Sequence, residues 1–218
     1  MQNDSIILVD KPAGLTSFGV VARVRRVLSE QLGKKAKVGH TGTLDPFATG
    51  LMIIVTGVKC REAMTFSKLD KEYEAVIELG KTSSTGDPEG ELTLVDSRVP
   101  TLEEVQAAAV KFTGQIEQTP PQFSAIKING QRAYKLARKG QVVEMPKRQV
   151  TIYELEVISY DYPDVKIRVR VSSGTYIRTL AEDIGSELGV GAYCRELRRT
   201  RVGEWSVEDA IATPRLHQ

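Results

Sequence analysis

Hydrophobic and polar positions along the chain follow two different periods, and together these predict most of its elements. Ser5 to Val9 (SIILV) is a short apolar run suited to a buried strand, and Lys11 to Thr16 (KPAGLT) has the composition of the turn after it. From Ser17, which can cap a helix, Val20, Val21, Val24, Val27 and Leu28 recur at helical spacing until Gly33 ends the pattern. Leu51 to Thr56 (LMIIVT) is apolar enough for a central strand. Tyr73 to Leu79 alternates, with Tyr73, Ala75, Ile77 and Leu79 on one face and charges on the other, as in a half-buried strand. KTSSTGDPEG follows as a turn-rich excursion. Thr101 and Glu104 then form a capping-box pair ahead of Val105, Ala108, Ala109 and Phe112. Residues 149–159 and 165–171 predict two strands joined by a turn at 161–164, and a helix after SSGT presents Ile177, Leu180, Ala181, Ile184 and Leu188 on one face. Strands and helices do not alternate strictly. The expected class is therefore α+β, with a mixed, largely antiparallel sheet and flanking helices, in a single domain over residues 1–218.

Residues 117–148 interrupt this rhythm. The segment opens with polar, proline-rich EQTPPQFSAI, passes through a short basic helix around Ala133 to Lys139, and turns back at Gly140. Lys127, Arg132, Lys135, Arg138, Lys139, Lys147 and Arg148 face only Glu117 and Glu144. Such a stretch is too basic to pack wholly inside and predicts an arm inserted between core elements. A second basic cluster, CRELRRTR, contributes Arg195, Arg198, Arg199 and Arg201 against Glu196. The net charge of +2 conceals both clusters, which suit nucleic acid or a solvated face equally well.

Composition narrows the chemistry. Hydrophobic residues at 41% and charged residues at 27% are ordinary for a globular protein. No apolar run approaches the roughly 20 residues of a membrane span, and the N-terminus lacks a secretory pattern, so a cytoplasmic protein is expected. Cys60 and Cys194 are far apart and make no metal or disulfide pattern, and His40 and His217 are the only histidines. The chemistry is expected to run without a metal.

GHTGTLDPFATG, residues 39–50, carries the best candidate for that chemistry. Its glycines and proline make it a loop, and its one carboxylate, Asp45, stands just before a buried strand that can support it. Other sites fail: Gly80-Lys81-Thr82 lacks the upstream glycine of a phosphate-binding loop, because Ala75 is there. No dinucleotide fingerprint and no nucleophile elbow appears.

This loop, with KPAGLTS before it and KEYEAVIELG and SSGTYIRTLAEDIG after it, resembles the TruB family of tRNA pseudouridine-55 synthases, with four motifs in order over residues 6 to about 202. The resemblance implies an enzyme that extrudes a uridine from the T-loop of tRNA, detaches its uracil, and rejoins the ring through carbon, with no cofactor. It implies Asp45 as the catalytic aspartate, attacking either the ribose or the uracil ring, with Arg178 as its cationic partner. Tyr73 would stack on the target base and assist proton removal, while Tyr176 and Leu197 would line the uracil pocket and His40 would contact the RNA loop. The arm at 117–148 matches the family's thumb-like insertion, with Lys127, Arg132, Lys135, Arg138 and Lys139 as its phosphate contacts. A monomer acting on the tRNA T-arm, with neither DNA nor membrane as partner, is the expectation.

Two features depart from the family pattern. Bacterial relatives usually continue into a PUA-type domain, and none is expected in these 218 residues. Where relatives often carry Thr-Asp-Thr after the Tyr73 strand, this chain has Ser83-Ser84-Thr85, without the carboxylate. A non-catalytic RNA-binding or tRNA-folding module on the same scaffold, or a synthase acting on another RNA, are the alternatives.

Overall fold

A computed structural model of the chain describes residues 4–95, 98–128, 130–141 and 143–214; His217 lies outside them. The elements run β1 (Ile6–Lys11), α1 (Ser17–Leu32), β2 (Val38–His40), β3 (Thr49–Thr56), α2 (Ala63–Ser67) and β4 (Lys71–Leu79). Next come β5 (Lys81–Ser83), β6 (Leu92–Leu94), α3 (Leu102–Lys111), β7 (Gly114–Gln118), β8 (Lys127–Ile128), β9 (Gln131–Arg132) and α4 (Ala133–Ala137). The chain ends through β10 (Arg148–Asp161), β11 (Asp164–Val171), α5 (Ile177–Glu187), β12 (Ala192–Val202), β13 (Trp205–Ser206) and β14 (Ile211–Ala212). The chain forms two compact units: residues 1–73 with 198–218, and residues 74–197. It passes from one to the other inside β4 and returns inside β12.

In the first unit the strand order is β14-β1-β3-β12, with β2 also on β3 and β13 on β12. β1 runs antiparallel to β3, whereas β14 on β1 and β12 on β3 are parallel. β3 is covered on both faces, which explains its unbroken apolar sequence. Met52 and Ile54 pack with Val9, Val38 and the α1 residues Val20, Val21, Val24 and Leu28. Leu51, Ile53 and Val55 pack with Val202 on the other side, joined by Ile6, Leu8 and Trp205. Burying each of these aliphatic side chains contributes about 1.5–3 kcal/mol. α1 ends as its sequence predicts, with Gly33 at φ 64° donating its amide to Glu30. Its start differs: Thr16 caps Gly19, and Ser17 is a buried first-turn residue whose hydroxyl is engaged elsewhere.

In the second unit the order is β12-β4-β11-β10-β7, with two short hairpins, β5–β6 and β8–β9, beside it. β11 shows the clearest alternation. Val165, Ile167, Val169 and Val171 are buried, while Lys166, Arg168 and Arg170 on the opposite face pair with Glu74, Glu154 and Glu156. α3, with the expected capping box at Thr101 and Glu104, packs on β10 and α5. α5 buries Ile177, Leu180, Ala181 and Ile184. No helix among the described residues is long and apolar enough to cross a membrane.

α5 also carries a misplaced charge. Burial pushes the Glu182 carboxyl from 4.5 up to about 7, opposed by Arg178 and reinforced by Asp183 and Asp87. Between pH 4.5 and about 7 the folded chain keeps a proton that the unfolded chain has lost, so this group lowers stability as pH rises through that window. The full cost above it is roughly 1–3 kcal/mol. Glu182→Gln is expected to melt higher than the parent at pH 8, by on the order of 2–8 °C, and together with it at pH 4, as followed by thermal unfolding at the two pH values.

Candidate active site

The Asp45 loop is held by atoms on every side of it. Leu44, directly before Asp45, has both backbone groups on one buried hydroxyl: the Ser17 hydroxyl donates to its carbonyl at 2.7 Å, and its amide donates to the same oxygen at 2.8 Å. Pro46, directly after, has a carbonyl that accepts from the Gly14 amide at 2.8 Å and from the Lys11 ammonium at 3.1 Å. The Asp45 carbonyl closes a turn by accepting from the Ala48 amide at 3.2 Å. Asp45 itself is half-buried. Its flanking backbone therefore has no freedom to drift.

Two buried cations complete this anchorage. Lys11, fully buried, donates to the Pro12 and Leu15 carbonyls at 2.8 and 2.7 Å as well as to Pro46. Arg199, 2% exposed, donates through Nε to the Leu51 carbonyl at 2.7 Å, and through its two terminal nitrogens to Thr43 and Gly42 at 3.4 Å. One guanidinium thus spans both stems of the loop. The backbones meet equally closely: Gly50 has φ 105°, and a Cβ there would stand 2.3 Å from the Arg199 carbonyl oxygen, so only glycine fits.

Of the residues named from the sequence, His40, Asp45 and Tyr73 belong to this first unit. His40 ends β2 opposite Ile54 and is half-buried, and Tyr73 is 8% exposed on the apolar face of β4. Lys71, two residues earlier, is buried with its ammonium on the Ser67 and Leu69 carbonyls. Burial, aided by the charge of Arg199 and opposed by Asp70, brings its pKa down to about 8.

The second unit holds Tyr176, Arg178 and Leu197. Tyr176 is fixed through its backbone by the buried amide of Gln118, which donates to its carbonyl and accepts from its N–H, each at 3.0 Å. The Arg148 guanidinium lies over its ring, 5.6 Å from the centroid. Arg178, 3% exposed, donates to the Thr85 and Phe123 carbonyls at 2.8 Å and pairs with Asp87 at 3.0 Å. Asp87 is held in turn by the Thr85 hydroxyl at 2.6 Å and the Glu89 amide. A carboxylate is thus supplied in the region where Ser83-Ser84-Thr85 lacks one, from two residues further on. Leu197 is 8% exposed near the end of the second-unit part of β12.

The arm starts and ends on neighbouring strands, because β7 pairs with β10 from Arg148–Gln118 to Ile152–Gly114. The Gln122 amide side chain ties its two legs, donating to the Val143 carbonyl and accepting from the Val143 amide. A cavity of about 1030 Å³ opens between the arm's base and α5, lined in part by Phe123, Met145, Thr179 and Glu182. Lys127, Arg132, Lys135, Arg138 and Lys139 are all exposed, and none forms an ion pair with a described residue. Arg138 lies over the Tyr134 ring at 5.7 Å.

The other basic cluster behaves differently from its sequence. Arg195 pairs with Asp164 at 2.5 Å, Arg198 with Asp10 at 2.8 Å, and Arg199 is buried under the Asp45 loop. Three of its four charges are engaged within the fold, which departs from both expectations for CRELRRTR, a nucleic-acid contact or a solvated face, while exposed Arg201 donates to the Glu204 carbonyl at 3.3 Å. Ser17, Lys11, Arg199, Asp87 and Gln118 are the residues that sequence reasoning did not place. KPAG could have signalled Lys11, but nothing local marks the others.

Residues 25–177 match the family model for TruB family pseudouridylate synthase (N terminal domain), and residues 178–218 match that for tRNA pseudouridylate synthase B C-terminal domain. A tRNA pseudouridine synthase B of Thermobifida fusca is 46% identical over 98% of this chain and 74% of its own length. One of Phocaeicola vulgatus is 47% identical over 95% of this chain and 89% of its own. Among solved structures, one described as an archaeal box H/ACA sRNP Nop10-Cbf5 complex contains a chain with a TM-score of 0.70 and 30% identity, covering 97% of this chain and 52% of that one. Matched along nearly its whole length by family models and relatives alike, the chain belongs to the TruB family of pseudouridylate synthases.

Proposed function

We propose that this enzyme isomerises uridine to pseudouridine in the T-loop of tRNA, as a cytoplasmic monomer without a cofactor, with Asp45 as the catalytic group. Pseudouridine synthase activity on tRNA follows from the family; Asp45, the T-arm and base flipping are the finer reading. The observation that carries it is the anchorage of the Asp45 loop: Ser17, Lys11, Gly14 and Arg199 hold its backbone on both sides of a single carboxylate. A carboxylate that must attack one atom of a bound nucleoside gains rate from being held in position, and a displacement of about 1 Å can cost 10²-fold.

The chemistry is an isomerisation, so nothing is gained or lost overall. Asp45 attacks the ribose anomeric carbon or the uracil ring, the bond from C1′ to N1 breaks, the uracil turns and bonds through C5 to C1′, and the bond to Asp45 breaks to return the free carboxylate. The C5 proton leaves as the ring regains its unsaturation, with Tyr73 helping to remove it, and N1, freed from the ribose, takes up a proton, so the two exchanges balance. Covalent attachment splits a hard displacement into easier steps. Arg178, fixed by Asp87 and two carbonyls, supplies a cation that needs no reorganisation during reaction. Tyr176 and Leu197 line the uracil pocket, and His40 meets the RNA loop.

A base inside a folded tRNA must first be extruded, at a few kcal/mol. Lys127, Arg132, Lys135, Arg138 and Lys139 of the arm, exposed and without an ion pair among the described residues, can offset this through phosphate contacts. The arm is thus a grip.

Three measurements test this reading. Asp45→Asn is expected to abolish tritium release from uracil C5 of an unmodified tRNA transcript while binding that RNA as the parent does; equal turnover would remove Asp45 from the mechanism. Arg199→Lys keeps the charge but cannot reach both loop stems, so kcat should fall by roughly 10- to 100-fold with RNA affinity unchanged. Replacing Lys127, Lys135 and Lys139 by Gln should lower the slope of log affinity against log salt by about 2, and an unaltered slope would dismiss the arm as a phosphate clamp.

A further inference from the structure

α1 and the turn after it carry a charge excess that the fold does not neutralise. Residues 17–37 hold Arg23, Arg25, Arg26, Lys34, Lys35 and Lys37 against one acid, Glu30. Among the described residues Glu30 pairs with Arg26 alone. Lys34, Lys35 and Lys37 are exposed, and none forms an ion pair or side-chain hydrogen bond with a described residue. The face of β11 is the natural contrast, since Lys166, Arg168 and Arg170 all meet carboxylates there. A solvated face built for stability pairs its charges; the α1 side leaves them open.

An aromatic ring stands at the edge of this open charge. Phe18 is 67% exposed, at the first turn of α1, where a large apolar side chain gains nothing from the core. The Arg25 guanidinium lies 6.0 Å from its centroid and donates to the Val38 carbonyl at 3.1 Å. A single side chain therefore links the ring to the segment that follows Lys37. Both ends of the patch border the Asp45 loop: Phe18 follows Ser17, which holds Leu44, and Lys37 precedes the strand that ends at His40.

Phe18 and Lys34 stand at opposite ends of α1, roughly 24 Å apart along its axis, and a single-stranded nucleic acid can follow such a face with phosphates meeting the cations and an unpaired base meeting the π-face. We propose that the α1 side and the 33–37 turn form an RNA-docking surface, separate from the arm. Lys34, Lys35 and Lys37 take the phosphodiester backbone, and Phe18 stacks on an unpaired base flanking the target. The proposal rests on the reading that this chain acts on a folded RNA.

The test uses the whole chain and an unmodified tRNA transcript. Binding is measured between about 50 and 200 mM salt for the parent, for Lys34→Gln/Lys35→Gln/Lys37→Gln, and for Lys166→Gln/Arg168→Gln/Arg170→Gln as the paired-face control. The first triple should lower the salt slope by about 2 and the control should leave it in place. Phe18→Ala should raise Kd roughly 5- to 150-fold, and Phe18→Trp should restore it. The single-turnover rate at saturating RNA should match the parent for every variant, which a folding defect would not allow. A slope equal to the parent's in the α1 triple overturns the docking surface, and a Kd within two-fold for Phe18→Ala overturns the stacking role. Absence of tritium release from the parent would instead count against the proposed reaction, leaving the slope comparison to decide the surface.

Discussion

The Asp45 loop and two buried cations depend on each other. Lys11 and Arg199 are removed from water, and a buried charge is tolerated only if its hydrogen-bonding groups find partners. Backbone carbonyls of the loop and its stems supply many of them: Gly42, Thr43, Pro46 and Leu51. The loop in turn is too rich in glycine to hold a shape by itself. Neutral carbonyls suit this task because they anchor the cations without adding a second charge beside Asp45. A carboxylate in their place would hold the loop equally firmly and repel the Asp45 carboxylate.

Arg178 shows the opposite arrangement. Its guanidinium meets an acid, Asp87, together with two carbonyls, so that cation is partly neutralised where it sits. Truncating one partner of a pair this buried costs several kcal/mol, since the other charge is left stranded. The Ser83–Gly90 turn is therefore structural as well as solvent-facing, and the Thr85 hydroxyl on Asp87 gives it a second reason to be fixed.

Elements that bury one clean face were legible in the sequence. α1, α3, α5, β4 and β11 all carry a period that survives in the structure, because core packing and local pattern agree there. β12 was not legible. Its sequence, AYCRELRRTRV, places four arginines in an interior strand, and three of them are satisfied by partners distant in sequence, Asp164, Asp10 and the Asp45 loop, while exposed Arg201 donates to the Glu204 carbonyl in the adjoining turn. β7, GQIEQ, was similarly hidden, since its one buried polar residue, Gln118, serves the backbone of Tyr176. For the candidate site, motif spacing singled out Asp45 and its companions as candidates, while the groups that hold them in place carried no local signature. Ser17 illustrates the limit: a serine before an apolar run predicts a cap, yet its neighbour Thr16 caps the helix and Ser17 is left for the loop.

The clamp on the Asp45 loop also has an order in time. Thr43 and Arg199 are separated by 156 residues. A ribosome adding about 5–20 residues per second needs roughly 8 to 30 s to cover that distance. Throughout that interval the carbonyls of Gly42, Thr43 and Leu51 can bond only to water or to transient partners. The segment that carries Asp45 is thus made early and set late, after the whole of the second unit has been synthesised. A nascent chain stalled short of Arg199 would carry every residue of the loop and still lack its working geometry.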